Sequence, residues 1–421
     1  MTSVRIGLRG GTALAEVDAA GFVTRSNAAY GFRLLRRRTR QSALGWWVAA
    51  DDRWHDPREE SSRRQRLIDG TPVVETKIAV PGGDVVQRAY MVADHGGCIV
   101  MEITNESPTA VAVAVPTTGL QTDAASTPTA PQGIDLPDDV RAFPLAHRST
   151  VRFMWQADEG LRTASTGTFS SAAQVSRGWS SATERASRIT LEANSIVAAR
   201  CDLLLAPARE IDDLLQADAA RGVLAIAERV RMGEPAAPYA QHIADAARRV
   251  LRLPSTPWAS RSLVMAARVL AHADEALGST DVEAAWVAIL GDGVNAAATR
   301  AAAASRPIAV NAQDGTLAVL SAAVDVVGRA EDSLVRALSP NDANLFADGL
   351  ADAWRGVNFE AHGLVAGPRH TLSIAVRWHG PNAALLWEVD GPPGLQLRAS
   401  RVDTSFVVSS QRGEGLLRVE S

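Results

Sequence analysis

The hydrophobic period changes twice along this chain, and that double switch restricts the fold more than any single motif does. In 72–80, Val74, Thr76, Ile78 and Val80 fall on one face, with Glu75 and Lys77 on the other. A period of two is that of a half-buried strand. From about residue 208 the spacing becomes helical. Val223, Ile226, Ala227 and Val230 form one stripe, and Ile243, Ala246, Ala247, Val250 and Leu251 form another, stopped by Pro254. After Gly356 alternation returns, with Leu372, Ile374, Val376 and Trp378 on one face. Strands and helices that occupy separate stretches imply an α+β protein rather than a βαβ sheet.

The first stretch predicts strands at 4–8, 16–24, 46–50, 72–80, 84–92, 98–104 and 111–115, the last four as one meander. It continues with a surface loop over 116–139 and strands at 149–155, 187–192 and 197–205. Six or seven helices are expected between about 208 and 355. The longest runs from an Asp314 N-cap through Leu317, Leu320, Val324, Val327, Leu334 and Leu338, and Asp342 reads as a second N-cap before Leu345. Strands then return at 372–378, 383–389, 402–409 and 415–420. The expected architecture is an N-terminal antiparallel β-sandwich (1–206), a central helical block (207–355) and a small C-terminal β-sheet (356–421). For 421 residues, three such parts agree with a prior of about 150 residues per domain.

Composition excludes several functions. Of 43 basic residues only Lys77 is lysine, so no Gly-Lys-Ser/Thr phosphate loop exists, and Lys77 sits on the polar face of its strand. The net charge of −4 gives no electrostatic footprint for nucleic acid. No apolar run approaches 18 residues, so no membrane span is expected, and the N-terminus shows no charged-then-apolar leader. Two cysteines in apolar stretches, Cys98 and Cys201, read as buried thiols of a cytoplasmic protein. The chain has no CxxC, no HExxH and no GxSxG, so neither a metal nor a cofactor is called for. Leu290-Gly291-Asp292-Gly293 superficially matches a dinucleotide turn. Val282, Ala285, Trp286, Ile289 and Leu290 before it have helical spacing, however, so the glycines read as a helix end.

Several stretches, GWWVAADDRWHDP, IDGTPVVETKIAVPGGDVVQRAY and VRWHGPNAALLWEV, resemble an uncharacterised actinobacterial protein family. The order of sandwich, helices and short β block is similar to that of the sandwich-plus-(α/α)-toroid, or six-hairpin, glycosidases. The resemblance implies a glycosidase-like scaffold with a glycan or sugar conjugate as ligand. The central block is about half the ~300 residues that six hairpins at roughly 50 residues each require. It therefore forms a partial toroid or a plain bundle, and whether the chain is an enzyme stays open. Three functions remain: a non-catalytic or degenerate glycan binder, an active glycoside hydrolase using two carboxylates, or an assembly scaffold without a small-molecule ligand.

The densest aromatic and polar patch is Trp46, Trp47, Asp51, Asp52, Trp54, His55 and Asp56. Indoles stack on sugar rings, and Asp or His groups take hydroxyl hydrogen bonds. Alternation on a strand turns one of Trp46 and Trp47 inward. Candidate ligand-binding residues are Trp46, Trp47, Trp54, His55 and Arg37, the last from the basic run Arg33–Arg40, which has the donors for an anionic group. Asp52 and Glu360 are the acid/base candidates. Trp378 and Trp387 are expected as cross-strand neighbours, a packing pair.

Overall fold

A computed structural model describes residues 3–26, 43–94, 97–127, 136–157, 169–253, 257–291, 315–380 and 382–419. The chain divides into two compact units, Met1–Ser180 and Ser181–Ser421. Strands dominate the first. The second holds most of the helices, followed by the C-terminal sheets. Sheets and helices are both present, with most strands before the main run of helices and further sheets after it, and no helix among the described residues is long and apolar enough to cross a membrane.

In the first unit, six strands pair in the order Leu120–Gln121, Thr150–Gln156, Cys98–Asn105, Gly83–Val92, Val74–Val80 and Arg64–Leu67. A four-stranded sheet has the order Val140–Leu145, Val111–Pro116, Trp47–Ala49 and Trp54–His55, and a third sheet joins Val4–Gly7, Leu14–Val17 and Val23–Ser26. Ile78, Ala89, Ile103 and Phe153 from the six-stranded sheet share one apolar core with Val113, Val115 and Phe143 from the four-stranded one. The expected meander is corrected at its fourth strand. Val111–Pro116 leaves the sheet of Cys98–Asn105 and pairs instead with Val140–Leu145 and Trp47–Ala49. Thr150–Gln156 takes the vacated place. The corner between is fastened by Asn105, whose Nδ2 donates to Thr109 O (2.7 Å) and whose Oδ1 accepts from Ser107 Oγ (2.7 Å).

In the second unit the helices Ala219–Arg231, Ala240–Val250 and Ala276–Gly291 follow the apolar stripes read from the sequence, and Ala208–Ala217 and Pro257–His272 lie among them. The strand expected at 197–205 is instead part of the helix Ala193–Leu205. Ile196, Ala199, Leu203 and Leu204 are buried at i, i+3, i+7 and i+8, a helical face that the short Leu run concealed. The long helix Gly315–Leu334 stops four residues earlier than expected. Val335–Ser339 turns back on Asp342–Leu345 as a hairpin, so Leu338 and Leu345 are strand residues and Asp342 begins a strand rather than capping a helix. Asp314 lies outside the described residues. The helix Ala276–Gly291 runs into Gly291, so helix, not strand, precedes the Gly-Asp-Gly sequence.

The final strands form two sheets. One has the order Arg188–Ile189, Phe359–Val365, Thr371–His379, Asn382–Asp390 and Arg412–Leu417. The other joins Val335–Ser339, Asp342–Leu345, Gln396–Ala399 and Asp403–Val408, with a parallel pairing between Asp342–Leu345 and Gln396–Ala399. Trp378 pairs with Ala383, and Trp387 pairs with Ile374, so the two indoles are not cross-strand neighbours. Trp387 instead packs edge-on against Phe406 at 5.7 Å. A Cβ at Gly413 would stand 2.4 Å from the Trp387 ring, so the glycine there is the space the indole needs.

Candidate functional site

The residues between 46 and 63 build a short strand, a tight turn, a two-residue strand and a charged loop. Val48 pairs with His55 and Ala49 with Trp54. Trp46 and Trp47 are both buried, at 0% and 4% exposure, so neither presents a ring face to solvent for stacking. They end inside together because Trp46 precedes the paired residues and is not held to strict alternation. Trp46 Nε1 donates to Ala20 O at 3.0 Å, and Trp47 Nε1 donates to Asp56 Oδ2 at 3.2 Å, so each indole N–H is satisfied. Phe22 lies 5.4 Å from Trp47, and the Arg58 guanidinium stands 4.8 Å from the Phe22 ring centre. Burial opposes the charge of Asp56, but the Arg58 hydrogen bonds outweigh it and hold the carboxyl below its ordinary range.

Asp52, Trp54 and His55 are the members that reach outward from this framework or connect to it. Trp54 is half-buried against the edge of the core. His55 is buried, with Nδ1 2.9 Å from Glu60 Oε1 and Nε2 3.1 Å from Asp52 Oδ1. Arg53 lies 2.8 Å from the same Glu60 oxygen. Asp52 is exposed, and its hydrogen bond with His55 lowers its pKa. Arg37 and the rest of the Arg33–Arg40 run lie outside the described residues.

Glu360 belongs to the other unit, on the strand Phe359–Val365. It is one-third exposed and held by the Arg377 guanidinium, by His362 at 3.3 Å and, more loosely, by Arg188 at 3.9 Å. The Arg377 hydrogen bond, then the one from His362, lowers its pKa. Asp52 and Glu360 therefore share one property: each is stabilised as a carboxylate. Neither has the raised pKa of a proton donor.

Among the described residues, a buried charge cluster lies where the sequence reading names no site. Within the second unit, Glu331 Oε1 accepts from Arg200 Nη2 (3.0 Å), Arg231 Nη2 (2.9 Å) and Ser187 Oγ (2.7 Å), while Oε2 accepts from Arg261 Nη2 (2.5 Å). Glu228 accepts from Arg200 Nε at 3.1 Å and from Arg231, and Asp332 accepts from Arg261 Nη1 at 2.6 Å. Three guanidiniums thus face three carboxylates. Burial works against the charge of Glu331, but Arg231, Arg261 and Arg200 outweigh it and hold the carboxyl far below the usual glutamate range. Asp332 goes the other way, because burial dominates its single arginine hydrogen bond. Arg231 also donates to Gly363 O at 3.0 Å. Gly363, at φ +73°, lies where the register shifts between Ala361 and Leu364, and this turns its carbonyl toward the helices. Beside the cluster, Ser187, Ile189, Thr190, Ile196 and Arg200 line a cleft of about 150 Å³. Arg200 spends all five donors, Nε on Glu228, Nη1 on Ser187 O and Thr183 O, and Nη2 on Ser187 Oγ and Glu331, so it offers a ligand no free hydrogen bond.

The signal for this cluster was a charge in an apolar stripe. Leu320, Val324, Val327, Glu331 and Leu334 are all buried on one face of their helix. Arg200 and Glu228 interrupt buried stripes in the same way. Among the described residues, no group of three or more His, Cys, Asp or Glu is placed to hold a metal ion. No protein-family model matches the chain, and neither does any curated protein.

Proposed function

We propose that the chain keeps the shell of a sandwich-plus-(α/α)-toroid glycosidase, with a partial toroid, and binds a glycan or sugar conjugate without hydrolysing it. The observation that carries the non-catalytic part is the state of Asp52 and Glu360. Each is held ionised by its neighbours. Glycoside hydrolysis needs one carboxyl that is protonated at working pH and a second across the bond, at about 5.5 Å for retention or about 6.5–9.5 Å for inversion. Two further carboxyl groups with shifted pKa values, Glu331 lowered and Asp332 raised, are enclosed in arginine contacts. For binding, the supported residues are Trp54, as an aromatic surface only half-covered, and Asp52, as an exposed acceptor for sugar hydroxyls. His55 then serves to hold Asp52 rather than to touch the ligand. The two free, buried thiols support a cytoplasmic location.

The second reading, an assembly scaffold with no small-molecule ligand, is favoured by the burial of Trp46 and Trp47, which leaves one partly open indole in the patch. One experiment separates these readings. Oligosaccharides and sugar phosphates are titrated calorimetrically into the full chain and into Trp54→Ala, and the same sugars are incubated with the protein and assayed for released reducing ends. Binding lost in Trp54→Ala with no hydrolysis is the expected result. Hydrolysis abolished by Asp52→Asn or Glu360→Gln would restore the enzyme reading, and no binding by any sugar would leave the scaffold.

A further inference from the structure

A neutral imidazole has one N–H, yet both nitrogens of His55 face carboxylate oxygens, Glu60 Oε1 at 2.9 Å and Asp52 Oδ1 at 3.1 Å. Two ionised carboxylates only accept, so both bonds exist together only when the ring carries both protons. The alternative, a protonated carboxyl donating to a neutral ring, is opposed on both sides. Glu60 receives Arg53 at 2.8 Å, and the His55 hydrogen bond lowers the pKa of Asp52. The arrangement is therefore one imidazolium clamped between two anions, and it cannot survive the loss of one proton intact.

We propose that His55 is a proton-operated latch on Asp52: with the imidazolium present the Asp52 carboxylate is clamped, and when the ring loses a proton Asp52 is released to solvent while Glu60 is kept. The direction follows from burial. Glu60 is 9% exposed and Asp52 44%. A carboxylate left without its donor costs little where water replaces it and much where water is excluded. The remaining proton therefore stays on Nδ1, toward Glu60. The other charged groups nearby do not compete for the ring. Arg53 is engaged with Glu60, and Asp56 is engaged with Arg58 and Trp47. Val48, opposite His55 on the neighbouring strand, carries no charge. The backbone of the turn stays in place because Ala50 N donates to Arg53 O at 3.0 Å, so the movement is confined to the Asp52 side chain. The result is an exposed carboxylate whose availability is set by pH.

The latch does not depend on the glycan reading. It is tested by NMR on the full chain with labelled histidine and aspartate, using His55→Gln to assign the ring signals and Asp52→Asn to assign the carboxyl. At the acidic end both His55 nitrogens should read as protonated. As pH rises, Nε2 should lose its proton and Nδ1 keep it, and the Asp52 carboxyl carbon should shift with the same midpoint. In Glu60→Gln the neutral ring should lose its strong preference for the Nδ1 proton. A neutral ring across the whole range, a neutral form protonated on Nε2, or an Asp52 carboxyl that does not follow the ring would each overturn the proposal. Sugar titration is a separate readout, so failure of the glycan reading leaves this result legible.

Discussion

Arg200 and Glu331 are 3.0 Å apart with side chains only 2% and 0% exposed, so this ion pair is made where water cannot stabilise either partner. A buried pair of this kind is a weak contributor compared with a well-packed apolar substitute, but breaking one is expensive. Glu331 is the common acceptor of Arg200, Arg231 and Arg261. Glu331→Ala should destabilise the second unit by about 3–5 kcal/mol, because it leaves three guanidiniums without their shared anion. Urea unfolding monitored by helical circular dichroism reads this directly. A loss below about 1 kcal/mol would mean that water enters and solvates the arginines.

The same carboxyl sets an acid dependence whose sign is fixed. Its folded-state pKa lies far below the ordinary glutamate value of 4.5, so folding keeps it ionised where the unfolded chain protonates it. Its contribution is complete above the unfolded value and is lost as pH falls toward the folded one. Asp332, whose pKa is raised, contributes the opposite slope, which is why the wild-type curve alone does not isolate Glu331. Unfolding free energies of wild type and Glu331→Gln, measured from pH 6 downward, should converge as pH drops below about 4.5. Parallel curves would show that Glu331 does not carry the acid sensitivity.

A third prediction concerns how closely two helices approach. A Cβ built on Gly222 would stand 2.4 Å from Leu215 Cα, a backbone atom that no rotamer change can move. Alanine gains about 1 kcal/mol over glycine in a helix interior, but forcing the helices Ala208–Ala217 and Ala219–Arg231 apart costs roughly 1–3 kcal/mol. Gly222→Ala should therefore destabilise. Gly178, in the helix Ala172–Thr183, has nothing within 4 Å of the same position, so Gly178→Ala should stabilise by about 0.5–1 kcal/mol. Equal effects at the two sites would remove steric closeness as the cause.

What was legible in the sequence, and what was not, follows from the range of each interaction. The period of two around Val74–Val80 and the helical stripe at Ile243–Val250 are local properties, and both elements are present, but the alternation places Glu75 on the polar face whereas it is buried between Arg66 and Arg88. Periodicity does not choose between a short helix and a strand where Leu203, Leu204 and Leu205 are all buried, so Ala193–Leu205 was misread. Nor does it report partners, so the departure of Val111–Pro116 to the second sheet left no local mark. The patch from Trp46 to Asp56 was visible because its residues are adjacent in sequence. The cluster around Glu331 draws on residues up to 144 positions apart, and Ser187 meets Glu331 only through the fold. Its one local trace was a charge where each stripe called for an apolar side chain.

The last prediction separates the two kinds of tryptophan in that patch. Trp47 packs against Phe22 and satisfies its N–H with Asp56, so its removal opens a core cavity and leaves the Asp56 carboxylate short of a donor. Trp47→Ala should cost about 3–5 kcal/mol. Trp54 lies on the strand edge and is only half-buried, so Trp54→Ala should cost about 1–2 kcal/mol from the smaller area it covers. Stability and sugar affinity should therefore dissociate. In unfolding and titration experiments run side by side, Trp47→Ala should lower the midpoint strongly while the protein that stays folded retains its affinity. Trp54→Ala should leave the midpoint nearly in place and lose the affinity. If both variants lowered stability and neither changed binding, the aromatic patch would be framework throughout, and the sugar contact would have to lie on other residues.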